Sequence, residues 1–447
     1  MDPVGLGRAS RVWLGIGVNS FGGPAGQLAV MHEELVERRR WLGERRFLHA
    51  LNYAMVLPGP EAQQLVTYVG WLLNGVRGGL IAGGLFILPG FLVMLVLSAV
   101  YALYGDLPLV AGLLLGLQAA VIAIVVQAVV RVGRRTLKTP FLVLLAAAAF
   151  GALFAFGVPF PLVVLGAGAI GWAVGARHPD LLADTGALEH FPGTPSRGYL
   201  LPEDEAVGPE RAVAARRAAL ACLVVWLLPI VGLRLALGPA HVLAQEAALF
   251  GRTALVTFGG AYAVLSYVSA QAVGVYGWIT PADMTAGLGL AETTPGPLIL
   301  VLQFVGFLAA FDDPGSLPPL VAGVVGACVT VWVTFVPCFM FIFAGAPYVE
   351  RLRRSRPLHH ALRSVSAAVV GVILNLAVWF ALSTLFGTVV PHSWGPVTVP
   401  VPVLSSIDWA AAGMAGLAVA LVSFQRLSPP RVLAVCAGVG VLGSLFS

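Results

Sequence analysis

The sequence predicts an all-α, polytopic integral membrane protein. Three observations carry this: 58% of its 447 residues are hydrophobic, only 11% are charged, and apolar runs of about 20 residues, enough to span a hydrocarbon core, recur along most of the chain. With a mean hydropathy of +0.90, too little polar surface exists to hold such a chain in water, which excludes a cytosolic globule and any disordered or fibrous class. Gly at 53 and Pro at 31 are unusually frequent. Both are tolerated at membrane depth where neighbouring helices or a cavity satisfy the freed backbone groups, so interrupted helices are expected.

The apolar windows fall in order. The first, 12–31, follows a start without a signal-cleavage pattern and reads as a retained helix. Next come 47–70, containing Pro58 and Pro60, then 78–104 and 109–130, separated by the turn from Tyr101 to Pro108, and then 141–157 and 160–176. From Arg177 to Arg217 the chain turns polar, with Pro179, Pro192, Pro195, Pro202 and Pro209 and the acidic run Glu203, Asp204 and Glu205. Low hydrophobicity and high proline make this a linker without a core of its own. Windows resume at 218–238, 248–268, 284–310, 320–346, 364–387, 408–425 and 431–446, about thirteen segments in all. The expected domains are an N-terminal repeat, 1–176, the polar linker, 177–217, a linker helix, 218–244, and a C-terminal repeat, 245–447.

Internal duplication explains that division. Phe21-Gly22-Gly23 matches Phe258-Gly259-Gly260, Trp41 matches Trp278, and Pro58-Gly59-Pro60 matches Pro295-Gly296-Pro297, all at an offset of 237. Past an insertion near Asp312 the register becomes 248, pairing Pro89 with Pro337, Ala119-Ala120-Val121 with Ala367-Ala368-Val369, and Gln127 with Asn375. An ordered set of this kind is the sequence symmetry of transporter halves. The loop 32–46 carries Arg38, Arg39, Arg40, Arg45 and Arg46, whereas 269–283 has no basic residue; conversely, 101–108 has none, whereas its counterpart carries Arg351, Arg353, Arg354, Arg356 and Arg363. Basic loops favour the cytoplasm, so the halves are expected to be inverted. The number of crossings stays open, because 47–70 reads either as one crossing or as a re-entrant hairpin broken at Pro58.

Net charge is +5, but its concentration in short loops speaks for topology and not for nucleic acid. Cys222, Cys328, Cys338 and Cys436 lie in apolar runs without C-x-x-C spacing and read as small core residues. No metal-ligand cluster, P-loop or nucleophile motif appears, so neither an enzyme nor a cofactor is expected, and gradient-driven transport remains.

The chemistry centres on the paired breaks. Two prolines around a glycine must interrupt a helix, and the interruption exposes the N-terminus of a new half-helix, with unpaired N–H groups and partial positive charge. This holds an anion without a buried cation. The expected substrate-binding set is Phe21, Gly22, Gly23, Pro58, Gly59, Pro60, Gln63, Gln64, Phe258, Gly259, Gly260, Thr293, Thr294, Pro295, Gly296 and Pro297. A plain proline kink is the alternative for one motif; recurrence at one offset favours a site. For the glycine pairs, helix packing and anion contact weigh equally. Glu61 and Glu292 are coupling candidates as proton carriers, with helix capping the competing role of Glu61. Gln127 and Asn375 either line the pathway or bond helices together.

Phe21-Gly22-Gly23-Pro24, Arg39-Arg40-Trp41-Leu42, Leu57-Pro58-Gly59-Pro60-Glu61-Ala62-Gln63-Gln64-Leu65 and Glu292-Thr293-Thr294-Pro295-Gly296-Pro297-Leu298 together resemble the long-chain chromate ion transporter family, over about 1–170 and 245–445. The resemblance implies a multi-pass carrier of the inner (cytoplasmic) membrane, with fused halves of opposite topology, that exports chromate down an ion gradient and confers chromate resistance. Chromate or a related oxyanion is then the partner, with proton coupling and a homodimer as further expectations. Alternatives are a sulfate or other oxyanion transporter for which chromate is incidental, a channel, and a non-transporting scaffold or sensor. One departure stands out: Gly260-Ala261 replaces the Gly23-Pro24 of the first half.

Overall fold

The computed structural model describes residues 4–21, 23–105, 107–182, 199–201, 208–258, 261–349, 356–423, 427 and 429–446. Helices α1 (Leu6–Asn19), α2 (Gly23–His32) and α3 (Glu44–Val56) lead to the first break. Beyond it run α4 (Glu61–Tyr104), α5 (Pro108–Thr136), α6 (Pro140–Phe154) and α7 (Phe160–Arg177). Helix α8 (Pro209–Leu237) connects to α9 (Val242–Leu255), α10 (Ala261–Ser269) and α11 (Pro281–Thr293), which ends at the second break. Then come α12 (Val301–Asp312), α13 (Pro319–Gly345), α14 (Arg356–Leu385), a hairpin of β1 (Val389–Trp394) and β2 (Val397–Pro402), α15 (Trp409–Ser423) and α16 (Pro429–Phe446). Among the described residues, six helices are long and apolar enough to cross a membrane: Glu61–Tyr104, Pro108–Thr136, Phe160–Arg177, Pro209–Leu237, Pro319–Tyr348 and Pro357–Leu385.

Proline starts many of these helices, as at Pro108, Pro140, Pro209 and Pro319, where its missing N–H is no loss. Pro209 begins α8 inside the stretch expected to be linker, because an alanine-rich run follows it directly. The rest of that stretch lies largely outside the described residues. The 44-residue α4 is two helices joined at a kink, with Asn74 and Gly75 (φ 64°) off helical geometry.

Duplication extends through the helices on either side of α8. A π-helical turn at Glu33–Arg38 recurs at Ala270–Val275, and α3 recurs as α11, both at an offset of 237. At 248, α5 recurs as α14, and at 269 the 15-residue α6 and 18-residue α7 recur as α15 and α16. The last change of register is the hairpin, which the apolar windows do not foretell. Val389 and Val390 on one side of Gly395-Pro396, and Val397, Thr398, Val399 and Val401 on the other, favour strand, and Gly395 (φ 61°) turns the chain between the paired Trp394 and Val397.

Tertiary contacts divide the chain into two compact units, each drawn from both repeats: Met1–Val96, Gly186–Gly260 and Thr294–Ser355 form one, and Leu97–Thr185, Ala261–Thr293 and Arg356–Ser447 the other. In the first unit α12 lies along α13, and α13 packs on α8 and α9. Trp226 Nε1 donates to the Val333 carbonyl and Trp332 Nε1 to that of Val225, both at 2.9 Å, clamping α8 to α13. In the second unit α14 packs on α6 and α7 around Leu142, Leu145, Ala149, Ala167, Ala367 and Ala368. Helices α5 and α16 meet through Gly112 and Gly440, where a Cβ on Gly112 would stand 2.6 Å from the Gly440 carbonyl oxygen. Small residues permit such backbone approach where lipid supplies no hydrophobic drive to association.

Candidate functional site

Both breaks fall where proline chemistry puts them, at the end of α3 and the end of α11, and both glycines take left-handed backbone, Gly59 at φ 132° and Gly296 at φ 89°. Pro58 and Gly59 are buried, as are Thr294, Pro295, Gly296 and Pro297; Thr293 is exposed. The N–H of Gly59 donates to the carbonyl of Thr257 at 2.8 Å, and the N–H of Gly296 donates to the carbonyl of Ser20 at 2.9 Å. Ser20 and Thr257 are themselves equivalent positions, at the same offset as the glycines. Each repeat therefore closes the break of the other. The two hydroxyls are tied back identically, Ser20 Oγ to the Ile16 carbonyl at 2.6 Å and Thr257 Oγ1 to that of Thr253 at 2.7 Å, which leaves the backbone carbonyls for the exchange.

A second reciprocal pair follows the same pattern. A Cβ on Gly59 would lie 2.8 Å from Cys338 Sγ on α13, and one on Gly296 would lie 3.6 Å from the Cα of Gly90 on α4. Cys338 and Gly90 are equivalents at the 248 register. All four segments belong to the first unit.

Glutamines complete the lining. Gln64 Nε2 donates to the Pro58 carbonyl at 2.7 Å, and Gln27 Nε2 to the Gly296 carbonyl at 2.6 Å, satisfying acceptors that the broken helices free. Gln63, fully buried, bonds through Nε2 to Thr67 Oγ1 at 3.1 Å, and the Oε1 atoms of Gln63 and Gln64 have no partner. Thr67 can donate or accept, so either orientation of the Gln63 amide keeps that bond, and one of them frees two N–H donors. At the start of α4 the N–H groups of Glu61, Ala62 and Gln63 have no intrahelical acceptor, as at any helix N-terminus.

Of the other expected residues, Phe21 is exposed, Gly23 begins α2 and Phe258 is half-buried, while Gly22, Gly259 and Gly260 lie outside the described residues. Glu61 stands half-buried in the first turn of α4, where a negative charge suits the helix end. Glu292 and Thr293 fall in the second unit. There Glu292, buried, accepts a hydrogen bond from the hydroxyl of Tyr262, with Arg131 close enough to attract the carboxylate. Gln127 accepts from Arg131 Nη2 at 3.1 Å, and Asn375 Nδ2 donates to Ser266 Oγ at 3.4 Å, so both have partners within that unit. Sequence reasoning passed over Tyr262 and Glu246, and read Cys338 only as a small core residue. Glu246 alone carried a visible signal, an acid within the apolar run of α9.

Comparisons with known proteins point to one family. The chromate transporter family profile matches residues 8–172 and 244–442, which are the two repeats. A chromate transport protein of Pseudomonas aeruginosa is 34% identical over 83% of this chain and 80% of its own length. A probable chromate transport protein of Synechococcus elongatus is 27% identical over 83% and 84%, and a chromate transport protein of Cupriavidus metallidurans 24% identical over 96% and 91%. No solved structure matches the chain. With the family profile matched over most of the chain and a relative 34% identical over 83% of it, the chain belongs to the chromate transporter family.

Proposed function

We propose that this protein is a gradient-driven carrier that exports chromate, and sulfate-like oxyanions of the same shape, from the cytoplasm, binding the anion at the paired Pro-Gly-Pro breaks. The reciprocal bonds of Gly59 to Thr257 and Gly296 to Ser20 carry this reading. They make the two breaks one pseudo-symmetric unit, which a pair of independent kinks would not be. A tetrahedral dianion suits such a place, because two half-helix N-termini supply oriented N–H donors and partial positive charge without a buried cation. Gln63 adds amide donors beside them. The similarity to chromate transport proteins supplies the chromate.

The exchange of equivalent contacts supports a pseudo-twofold relation between the segments that make it, and the opposed loop charges favour an axis in the membrane plane, with inverted halves. In the loop 32–46, Arg38, Arg39, Arg40 and Arg45 are exposed, as a cytoplasmic loop needs, whereas Arg46 is buried. Arg351, Arg353 and Arg354 lie outside the described residues. Glu61 and Glu292 carry forward as proton-coupling candidates, one beside the first break and one held by Tyr262.

The test is equilibrium binding of chromate, sulfate and other oxyanions to the purified protein, together with chromate uptake into inverted vesicles. Saturable uptake, competed by sulfate, is the expected result. Absence of binding to the purified protein, with unchanged chromate sensitivity and chromium content in a deletion strain, would leave a scaffold or sensor instead.

A further inference from the structure

Glu246 lies on α9 with no exposed surface, and neither carboxylate oxygen has a hydrogen-bond partner. Its Oε2 occupies space that a side chain at Gly326 of α13 would fill, 3.1 Å from a Cβ there. Thr330 Oγ1 similarly fills the room left by Gly306, 2.1 Å from where its Cβ would stand. Thr330 and Thr334 are buried, and both hydroxyls lack partners. Buried polar groups are normally satisfied, so three neighbours without partners along one pair of helices mark a place built for something beyond packing.

Their spacing shows the direction. Gly326, Thr330, Thr334 and Cys338 recur every four residues and so lie along one face of α13, about 6 Å apart at 1.5 Å rise per residue. Glu246 stands at one end of this line. At the other, Cys338 Sγ lies against Gly59 of the first break. Steps of that size are what single bridging waters span between hydroxyls. In the first repeat the equivalents of Glu246, Thr330 and Thr334 are Ala9, Ala82 and Phe86, so the polar line exists once while the breaks exist twice.

No ion pairs with Glu246 among the described residues. The helices packed on α9 are α8, α12 and α13. On α8, Glu210, Arg211, Arg216, Arg217 and Arg234 are exposed and Cys222 is half-buried; α12 offers Asp312, exposed; and α13 offers Cys328, exposed, and Cys338. On α9 itself Arg252 is exposed and bonds the Ala248 carbonyl, and His241 caps the helix through Nδ1. A permanent charge with no counter-ion is costly there, whereas a carboxyl that gains and loses a proton is not held to one state.

We propose that Glu246 is a further proton-carrying residue of this transporter, beside the candidates Glu61 and Glu292, linked by the Thr330 and Thr334 hydroxyls and intervening water to the first Pro-Gly-Pro break. This rests on the carrier reading above. The proton leaves the Glu246 carboxyl, each hydroxyl accepts one proton and passes on its own, and the Glu61 carboxylate in the first turn of α4, beside the first break, accepts it as anion occupancy changes.

The test uses the full protein in liposomes, with chromate transport measured with and without an imposed pH gradient, and chromate binding measured separately by calorimetry. Glu246→Gln should keep binding within about twofold and lose the acceleration by the pH gradient. Thr334→Val should weaken that acceleration at least several-fold, and Thr334→Ser should restore it. A Glu246→Gln protein accelerated as strongly as the wild type overturns the proposal. Absence of chromate binding in the wild type would strike the anion site instead. Should Glu246→Gln fail to fold, infrared difference spectra of the wild type on chromate addition decide: a protonated-carboxyl band that responds supports the role, and no such band refutes it.

Discussion

Alanine at Gly296 separates a structural kink from a binding site, because the site there offers space but not backbone freedom. At φ 89° any residue with a Cβ is strained, yet the nearest atoms to that Cβ are 3.6 Å away, an ordinary contact. The cost is therefore backbone strain alone, about 1–3 kcal/mol. That strain is relieved when the break relaxes, so the fraction of protein holding the N–H groups in place falls, and binding must restore it. At about 1.4 kcal/mol per tenfold, the apparent chromate affinity should fall by roughly 5- to 150-fold. Gly59→Ala should lose more: its Cβ would overlap Gln64 Nε2 at 2.7 Å and Cys338 Sγ at 2.8 Å, adding about 1–3 kcal/mol of overpacking. Cys338→Ala removes one of the two overlaps, so the double variant should recover part of the loss. Calorimetric binding to purified protein reads all three. Unchanged affinity in Gly296→Ala would refute the assignment of the breaks to the anion.

Gln64→Leu leaves the buried Pro58 carbonyl without its donor, a loss of about 1–3 kcal/mol, and should lower both the thermal unfolding midpoint and chromate affinity. Gly326→Ala should destabilise strongly, since its Cβ would stand 2.4 Å from the Gly306 carbonyl oxygen, whereas Gly84→Ala, with nothing within 4 Å, should be neutral or gain up to about 1 kcal/mol; thermal unfolding in detergent distinguishes them. Tyr262→Phe strips Glu292 of its hydroxyl donor and should cost about 1–3 kcal/mol, part of which Glu292→Gln in the same chain should return. Equal melting of the single and double variants would remove that pair from the stability of the second unit.

The positions of the breaks were legible because proline acts locally: Pro58, Pro60, Pro295 and Pro297 lack a donor wherever they stand. Duplication was legible for a related reason, since equal spacing of Pro-Gly-Pro, Trp41 and Trp278 survives any three-dimensional arrangement. The π-helical turns and the equal lengths of α6 and α15 extend that duplication to elements whose sequences no longer match. The sites of Gln127 and Asn375 illustrate the opposite case. Equivalence by register made them pathway candidates, but Gln127 bonds Arg131 one turn along the same helix, and Ser266, the partner of Asn375, is set by packing within the second unit.

Composition and residue order alone thus determined the solvent of this protein, its interrupted helices and its twofold repetition, because hydropathy, proline chemistry and the spacing of motifs are properties of the chain. Only the tertiary structure decided which carbonyl each break glycine meets. The acceptors of Gly59 and Gly296 lie 198 and 276 residues away, at Thr257 and Ser20, and no local preference selects a partner at that separation. The same holds for Glu246. An acid in an apolar run reads equally as a surface residue or a buried one, and burial beside Gly326 and Thr330, with no counter-ion, is a consequence of how α9, α12 and α13 pack.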